Sequence, residues 1–578
     1  MSKAVSMENE IIKLLKSVGI EAVEERLEKP PQPEFGDIAC PCFDLAKKER
    51  RNPQEIAQNI LEKLKSKLPK GTILKASVKG GYVNFFFDWE KISSTLLKEI
   101  FTKNEKYGAP AKLKKEKIMV EYSQPNPVHS MHIGHARGTF LGDALAKLYE
   151  FMGHKVMRAN YMNDCGLQVA KLVTAIQLWA EGKKPDEKPD VWLWKYYVRF
   201  HEEAEKDPTL EQKARENLRL IDVEKDKKMT ALRDKIVSWC IDGFEQTYKS
   251  VGIKFDMYLF ESKFRDAGKK IVERAMKKKI DGKPLAFESE EKTIVADLEK
   301  YGLPGLVILR SDGTGLYQTS DLGMTVYKFE HYKVDKAIWV VASAQNLYFK
   351  QLKKLLELLG YKWVDNAIHF SFDLVRLPEG TMSSRKGKAV LLDDVIKKLT
   401  DMAYVEVNKH NPQGKEAEKR STAASIGVGA LKYAIEKIEP GQGITFDFEK
   451  MMKFEGNTGP YLQYAHTRCA SILEKVGKWR MKPSLKVKEL KGEEKELVKM
   501  LSDFPKIVES AAKQMHINEI CNYAYDLATA FSTFYQFCPV LKAETDELKD
   551  FRLALVLATK TVLRNALNIL GMDAIEKM

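Results

Sequence analysis

Two histidines and a glycine within one four-residue stretch, His132-Ile133-Gly134-His135, are the groups in this 578-residue chain best placed to do chemistry. Leu141, Ala144, Leu145, Leu148 and Phe151 follow at helical spacing, so both rings fall on the first turn of a helix, three apart and on one side. A helix start presents unpaired backbone N–H groups and about half a positive charge, which attracts anions. Gly134 lets a bulky ligand approach the backbone. Neutral imidazoles donate hydrogen bonds to an oxyanion without carrying a permanent charge. This combination suits a nucleotide phosphate. A second cluster, Thr381-Met382-Ser383-Ser384-Arg385-Lys386-Gly387-Lys388, joins small hydroxyls to three cations and suits a triphosphate. Neither cluster is specific alone: histidines three apart are more often plain helix surface, and a basic loop is more often simply solvated.

The elements around them make the pair informative. Ile118, Val120 and Tyr122 alternate with polar neighbours, which predicts a strand; Pro125-Asn126-Pro127 breaks it before the histidine helix. Val156–Tyr161 predicts a second strand, giving a βαβ unit, and such units place ligands beyond the carboxyl ends of their strands. Gln124, Asn126, both histidines and Asn160 lie at those ends. Long helical stretches then interrupt the pattern over about 165–290, namely Gln168–Glu181, Val191–Glu205 and Leu210–Ser250; Trp192, Trp194, Tyr196 and Tyr197 read as packing. The sheet is expected to resume with a hairpin, Leu306–Arg310 and Gly315–Thr319, turned by Asp312-Gly313. Tyr317 and Asp321 leave it toward a helix. Strands over Ala337–Ala342 and Ile368–Val375, with a helix from Leu347 to Leu359 between them, complete a second half that runs straight into the second cluster.

Before residue 110 the sequence forms a separate unit. Met7–Val18 is helical, Phe43–Lys65 reads as two helices split near Asn52-Pro53, and Ser77–Phe87 reads as a turn leading into a strand. Phe85 and Phe87 are expected in its core; Asn84 fits a core position or a contact with an unstacked base equally. Ala111–Lys117 is a basic linker, and beyond about 400 the chain is helical. This length calls for three or four domains. Hydrophobic residues are 44% and charged residues 30%, an ordinary globular balance. The net charge of +14 is consistent with a polyanionic partner. No apolar run approaches the roughly 20 residues of a membrane helix, and MSKAVSMENE lacks a signal pattern. The seven cysteines, at 40, 42, 165, 240, 469, 521 and 538, lack zinc-ligand spacing. They are expected as reduced thiols in a soluble cytoplasmic protein.

The stretch around the histidines resembles the HIGH signature of class I aminoacyl-tRNA synthetases. Its flanks, Ser123-Gln124-Pro125-Asn126 and His135-Ala136-Arg137-Gly138-Thr139, resemble arginyl-tRNA synthetases in particular. The second cluster resembles the KMSKS signature in its arginyl form, Met-Ser-x-Arg-Lys-Gly, with Thr381 and Ser384 at the two lysine positions. Arg385 and Lys386 are the substitutes, and either could stabilise the leaving pyrophosphate. The helical end, with Phe454-Glu455-Gly456-Asn457-Thr458-Gly459-Pro460-Tyr461 and a terminal Met578, resembles the DALR-type anticodon-binding domain of that family.

The resemblance implies a multidomain α/β and all-α protein. Residues 1–110 would form a small α/β tRNA-binding domain. Residues 115–400 would form a Rossmann-like (HUP) catalytic domain with a helical insertion at about 165–290, and residues 401–578 a helical anticodon-binding bundle. The implied activity is ligation of L-arginine to tRNA(Arg) with ATP, accompanied by Mg²⁺ and without a tightly bound metal. The catalytic residues would be His132, His135, Arg385 and Lys386. Gly134, Met382, Ser383 and Ser384 would complete the ATP site. Arginine would be held by Gln124, Asn126, His135, Asn160, Tyr317, Asp321 and Gln345, because a guanidinium pairs with a carboxylate through two parallel hydrogen bonds. Asp321 fits equally well as a helix cap. Asn84, Asn457, Tyr461, Tyr464, Arg468 and Met578 would contact tRNA, although Tyr464 suits a bundle core as well, and His466 lies among them. A cytoplasmic monomer without membrane contact is expected.

Overall fold

The structure, a computed structural model, describes residues 3–21, 26–69, 72–376, 390–477, 479, 487 and 489–578. Its centre is a five-stranded parallel sheet in the spatial order Ala367–Phe372, Lys336–Ala342, Lys117–Glu121, Lys155–Met162, Met257–Phe260. The first strand in sequence is central. Chain connections therefore diverge on its two sides, the topological switch point where such sheets bind ligands. The Ile133–Phe151 helix covers one face; Ile133, Ala136, Phe140, Leu141, Ala144, Leu145 and Leu148 are buried in the main core with Ile118, Val120, Ile338 and Val340 of the sheet. Met119, Trp339, Leu352 and Leu355 belong to a second core on the other face. Gly142 allows the helix to cross close to the sheet, because an added Cβ would stand 2.3 Å from the Tyr122 side chain.

The N-terminal module carries an antiparallel sheet, Ile38–Pro41, Tyr82–Phe87 and Ile73–Lys79, with Tyr82–Phe87 central. The predicted turn is smaller than expected: Ser77–Lys79 is already strand, and Gly80 and Gly81, at φ +59° and +84°, supply the hairpin. Phe85 and Phe87 are buried. The helices expected over 165–290 occupy Leu167–Trp179, Pro189–Lys206, Thr209–Asp222 and Lys227–Ser250. Asp226, whose carboxylate accepts the Met229 N–H at 2.8 Å, caps the last of these and divides what reads as one helix in the sequence. Met257–Phe260 then rejoins the parallel sheet.

The predicted hairpin at 306–319 does not form. Leu306–Leu309 pairs with Ile294–Ala296 in a separate antiparallel sheet, and Tyr317–Glu330 is a helix from its first residue. Asp312 spends its side chain on the N–H and hydroxyl of Thr314, and Thr319 caps back onto the Leu316 N–H, so the Asp-Gly turn opens a helix instead of closing a ribbon. The end of the chain is helical: Leu392–His410, Glu416–Glu436, Gly459–Val476, Gly492–Gln514, Ile517–Phe537 and Asp546–Ile569. No helix among the described residues is long and apolar enough to cross a membrane.

The contact at Gly142 gives a direct check on this packing. Gly142→Ala forces Tyr122 and the central strand away from the helix, and overpacking of this kind costs about 1–3 kcal/mol. Thermal denaturation should show a lowered Tm.

Candidate active site

His132 is the N-cap of the Ile133–Phe151 helix, with extended backbone (φ −120°, ψ 169°). Its Nδ1 accepts the Gly134 N–H at 3.1 Å, and His135 Nδ1 accepts the His132 N–H at 3.1 Å. A neutral imidazole that accepts at Nδ1 carries its proton on Nε2. The reciprocal cap therefore fixes both tautomers and leaves each ring one donor, Nε2–H. The rings are tilted against each other with centroids 3.9 Å apart. His129, which the sequence reading passed over, stacks on them at 5.7 and 5.4 Å. Burial, assisted by the charge of His129, lowers the His132 pKa to about 4. Burial first, then the neighbouring rings, hold His135 well below the usual histidine range. All of this keeps the rings neutral at physiological pH.

The three histidines bring ring nitrogens within 4.8 Å of one another, close enough for a shared metal ion. Their hydrogen bonds do not fit one. The Nδ1 lone pairs of His132 and His135 are spent on backbone N–H groups, and the opposite nitrogens are protonated. His132 and His135 present donors, which suits an anion.

The second cluster, including Met382, Ser383, Ser384, Arg385 and Lys386, lies outside the described residues. Its flanks do not. Ile133 N–H donates to Val390 O and Leu392 N–H to Met131 O, both at 3.0 Å, so the chain emerging from the second cluster pairs with the first. On the entry side, Phe372 packs near Gly138, with its ring 2.9 Å from where a Cβ would stand.

A second group of carboxylates gathers around Asp321, with Glu121 and Glu261 near enough to act on its charge. Asp321 is the fifth residue of the Tyr317–Glu330 helix, whose N-cap is Leu316, so the capping role does not apply. Its Oδ2 accepts the Tyr348 hydroxyl at 2.6 Å. Burial raises its pKa to about 7, against the Tyr348 bond and with the charges of Glu121 and Glu261 adding to the rise. Glu261 is buried, raised by burial, and accepts the Tyr161 hydroxyl at 2.7 Å. Neither Glu261, Tyr161 nor Tyr348 stands out in the sequence, because they come from separate elements with no motif around them. Tyr317, 47% exposed, meets Tyr348 edge-on at 5.3 Å, and Gln345 is exposed just before the helix carrying Tyr348. Glu121 is paired with the buried Lys328 and accepts Gln124 Nε2 at 3.1 Å.

Ser123 and Gln124 take positive φ (76° and 52°), a conformation costing on the order of 1–3 kcal/mol each. Ser123 Oγ lies 2.7 Å from Thr139 Oγ1 and 2.8 Å from Tyr248 Oη; the Gln124 N–H donates to Asn160 Oδ1 at 3.1 Å. Asn160 is fully buried, and its Nδ2 donates to Tyr248 Oη at 3.0 Å. Both ends of its amide therefore serve the strained turn, and it acts on Gln124 from behind. Asn126 is exposed at that turn.

The residues expected to meet RNA are dispersed. Asn84 is buried at 3% exposure, in the central strand of the N-terminal sheet. Asn457 Oδ1 accepts the Tyr433 hydroxyl at 2.6 Å, and its backbone carbonyl accepts Lys437 Nζ at 2.8 Å. Tyr461 packs with Tyr525 at 5.8 Å. Tyr464 is exposed, not core; Arg468 donates to its hydroxyl at 2.8 Å and lies over the Tyr464 and Tyr535 rings. His466 is fully buried, bound to Ile575 O at 2.9 Å, and Met578 packs partly on the core.

Known proteins resemble this chain along nearly its whole length. The family description "tRNA synthetases class I (R), catalytic domain" matches residues 96–448, "DALR anticodon binding domain" matches 462–578, and "Arginyl tRNA synthetase N terminal domain" matches 6–87. The chain is 36% identical over 575 residues to an arginine–tRNA ligase of Clostridioides difficile, covering 99% of each. It is 34% identical to that of Treponema denticola, covering 96% of this chain and 94% of the relative. The solved arginyl-tRNA synthetase of Thermus thermophilus superposes with a TM-score of 0.82 at 28% identity over 99% of both chains. That of Plasmodium falciparum shares the fold, with a TM-score of 0.79 at 21% identity, over 99% and 98% of the two chains.

The dual use of His132 separates fold from chemistry. Asparagine is a good N-cap, so His132→Asn should keep the Gly134 N–H satisfied and leave Tm near wild type while removing the Nε2–H donor. His132→Ala should lose both, at about 1 kcal/mol of helix stability. ATP affinity by equilibrium dialysis should fall in both variants, and Tm only in the second.

Proposed function

Because the chain belongs to the class I arginyl-tRNA synthetases, which are ATP-dependent arginine–tRNA ligases, we propose that its crevice activates L-arginine between the histidine turn and the Asp321 pocket. The arginine carboxylate oxygen attacks the α-phosphorus of ATP. The bond to the β-phosphate bridge breaks, and pyrophosphate leaves. A hydroxyl of the terminal ribose of tRNA(Arg) then attacks the activated carbonyl and releases AMP. Positioning and charge stabilisation dominate such chemistry. The Nε2–H groups of His132 and His135 donate to phosphate oxygens as charge shifts toward the leaving group, and Gly134 leaves room for the nucleotide. Arg385 and Lys386 supply the positive charge for pyrophosphate, with Met382, Ser383 and Ser384 in the same segment. Mg²⁺ would accompany ATP, held largely by the phosphates, and would supply positive charge there.

The observation that carries the amino-acid assignment is the half-buried Asp321 carboxyl, raised to about 7 beside Glu121 and Glu261. A pocket built this way is incomplete until a cation arrives, and a guanidinium can meet a carboxylate with two parallel bonds. Tyr317 borders the side chain. Gln124, Asn126 and Gln345 serve the α-amino and carboxylate end, with Asn160 supporting Gln124. Asn457, Tyr461, Tyr464, Arg468 and Met578 form the RNA side: a base stacked on an exposed aromatic such as Tyr464 gains roughly 1–3 kcal/mol. Asn84 contributes through the shape of its module, given its burial. The enzyme works as a cytoplasmic monomer, in keeping with seven cysteines that are all free and buried.

Charging of an RNA pool with each of the twenty amino acids separately tests this directly: arginine alone should be esterified, with one AMP and one pyrophosphate released per ester. Charging with another amino acid in its place would overturn the assignment. The pocket adds a pH signature. An acid whose folded pKa stands above its unfolded value makes its ionised form a liability that grows from about pH 4 to about pH 7. Arginine binds the ionised form, so its affinity should rise about tenfold between pH 6 and pH 8. Proton release should accompany binding at pH 6, read by calorimetry in buffers of different ionisation enthalpy. Asp321→Asn should abolish the slope and weaken binding by about 10- to 100-fold, the worth of a charge-assisted pair.

A further inference from the structure

A single ammonium ties the helical insertion to the strand beside the histidine turn. Lys188 stands just before the Pro189–Lys206 helix. Its Nζ donates to Asp190 Oδ2 at 3.2 Å, Thr247 Oγ1 at 2.6 Å and Asp393 Oδ2 at 2.5 Å. The Thr247 hydroxyl in turn donates to Asp393 Oδ1 at 2.8 Å. Asp190 lies in the first turn of one insertion helix and Thr247 in the last turn of another. Asp393 belongs to neither: it is the second residue of the Leu392–His410 helix. The three residues before it, Val390–Leu392, pair with Met131–Ile133, and so with the cap that fixes both tautomers.

Two carboxylates on one ammonium are a costly way to fill space. Asp190 is fully buried, and the last insertion helix crosses it at Gly243, where an added Cβ would stand 2.2 Å from its Oδ1. Burial raises its pKa, and Lys188 opposes the rise. Its Oδ1 has no hydrogen-bond partner. Neither has the buried hydroxyl of Ser130, two residues before His132, which lies near enough to favour the ionised carboxyl without bonding to it. Apolar packing often serves a core at least as well as a buried ion pair, so stability alone does not account for the arrangement. What it fixes is position. Tyr248, next to Thr247, lies with its hydroxyl 2.8 Å from Ser123 Oγ. The insertion thus meets the histidine turn at Ser123 before it, beside Ser130 within it, and at Asp393 behind the strand paired with it.

We infer that Lys188 and Asp393 are a positioning pair: by locking the insertion to the strand paired with Met131–Ile133, they keep the Nε2–H groups of His132 and His135 aimed at the phosphates. This rests on the function proposed above. Those donors act on charge that develops in the transition state, so misplacing them costs kcat more than ground-state binding. Asp393 is half-exposed, and its removal leaves Lys188 with Asp190 and Thr247, so no buried charge is stranded.

The test compares full-length wild type, Asp393→Ala, His132→Asn and the double variant His132→Asn/Asp393→Ala. It measures kcat and KM of arginine charging, with arginine and tRNA varied in turn, and thermal stability. Asp393→Ala should lose about tenfold in kcat, the scale of a sub-ångström misplacement, while KM for arginine and for tRNA stays within about twofold and Tm stays near wild type. Because the pair acts through the donors, Asp393→Ala should cost no more than about threefold further once His132 is already asparagine. A folded Asp393→Ala with wild-type kcat overturns the inference, as does a loss confined to KM. A full tenfold loss repeated in the double variant overturns it too. Should Asp393→Ala melt below the assay temperature, Lys188→Met combined with Asp190→Asn decides, since it removes the ammonium together with the carboxylate it would strand: an unchanged kcat there overturns the inference. A wild type that charges arginine while these variants match it sinks this inference alone. A wild type that charges none sinks the proposed function with it.

Discussion

The site depends on two hydrogen bonds of one helix cap. Gly134 N–H to His132 Nδ1 and His132 N–H to His135 Nδ1 satisfy backbone donors that every helix start leaves open. The same bonds decide the chemistry of the rings. A histidine free to choose its tautomer can accept or donate and can bind a metal; these two are committed to donating at Nε2. Satisfying the fold and orienting the donors of an anion site are one act here, since the same two bonds cap the helix and fix both tautomers.

The cap needs its surroundings in register. Val390–Leu392 pairs with Met131–Ile133, while Phe372 and Tyr122 press on Gly138 and Gly142 from the sheet side. The strained turn at Ser123–Gln124 is stabilised by Thr139, Tyr248 and Asn160, of which Thr139 lies on the histidine helix and Tyr248 at the end of the helical insertion. The insertion thus contributes a buried hydroxyl to the catalytic crevice, beyond the surface it adds. The pieces are distant in sequence, and tight packing couples them because close-packed interiors transmit displacement.

What could be read from the sequence divides along the same line. His132, Gly134 and His135 announce themselves because a helix start and a functional pair coincide locally. Four of the five parallel strands announce themselves through alternation or apolar runs; Met257–Phe260 does not, because it sits in the stretch that reads as helical insertion. The 306–319 region misleads because Asp-Gly is a turn signal in both hairpins and helix entries; Thr319 bonding back to Leu316 decides, and that bond needs the three-dimensional context to be seen. Glu261, Tyr161, Tyr348 and Lys328 carry no local signature at all. They become a pocket only when strand ends and two helices converge, which spacing along the chain does not encode. Asn84, which suits a core position and a base contact equally in the sequence, and His466, which lies among aromatic and cationic residues there, are both buried. His129 was legible, three residues before His132, but it lies outside the helix whose periodicity drew attention to the others.

Burial also sets the charge of the empty crevice. It lowers the histidines and raises Asp321 and Glu261, and all four shifts favour the neutral forms. A crevice with ionised carboxylates and protonated imidazoles would bind each ligand's charge tightly in the ground state, including wrong partners. Shifts in these directions leave more of the charge to be brought by the ligands. In the proposed reaction the guanidinium would ionise Asp321 on arrival, away from the reacting atoms, and the amino-acid carboxylate and the α-phosphate, both anions, would approach each other beside the neutral donors of His132 and His135. Charge that moves toward the pyrophosphate during reaction is met by N–H groups already oriented by the cap, and such preorganised donors contribute more to the transition state than to the ground state.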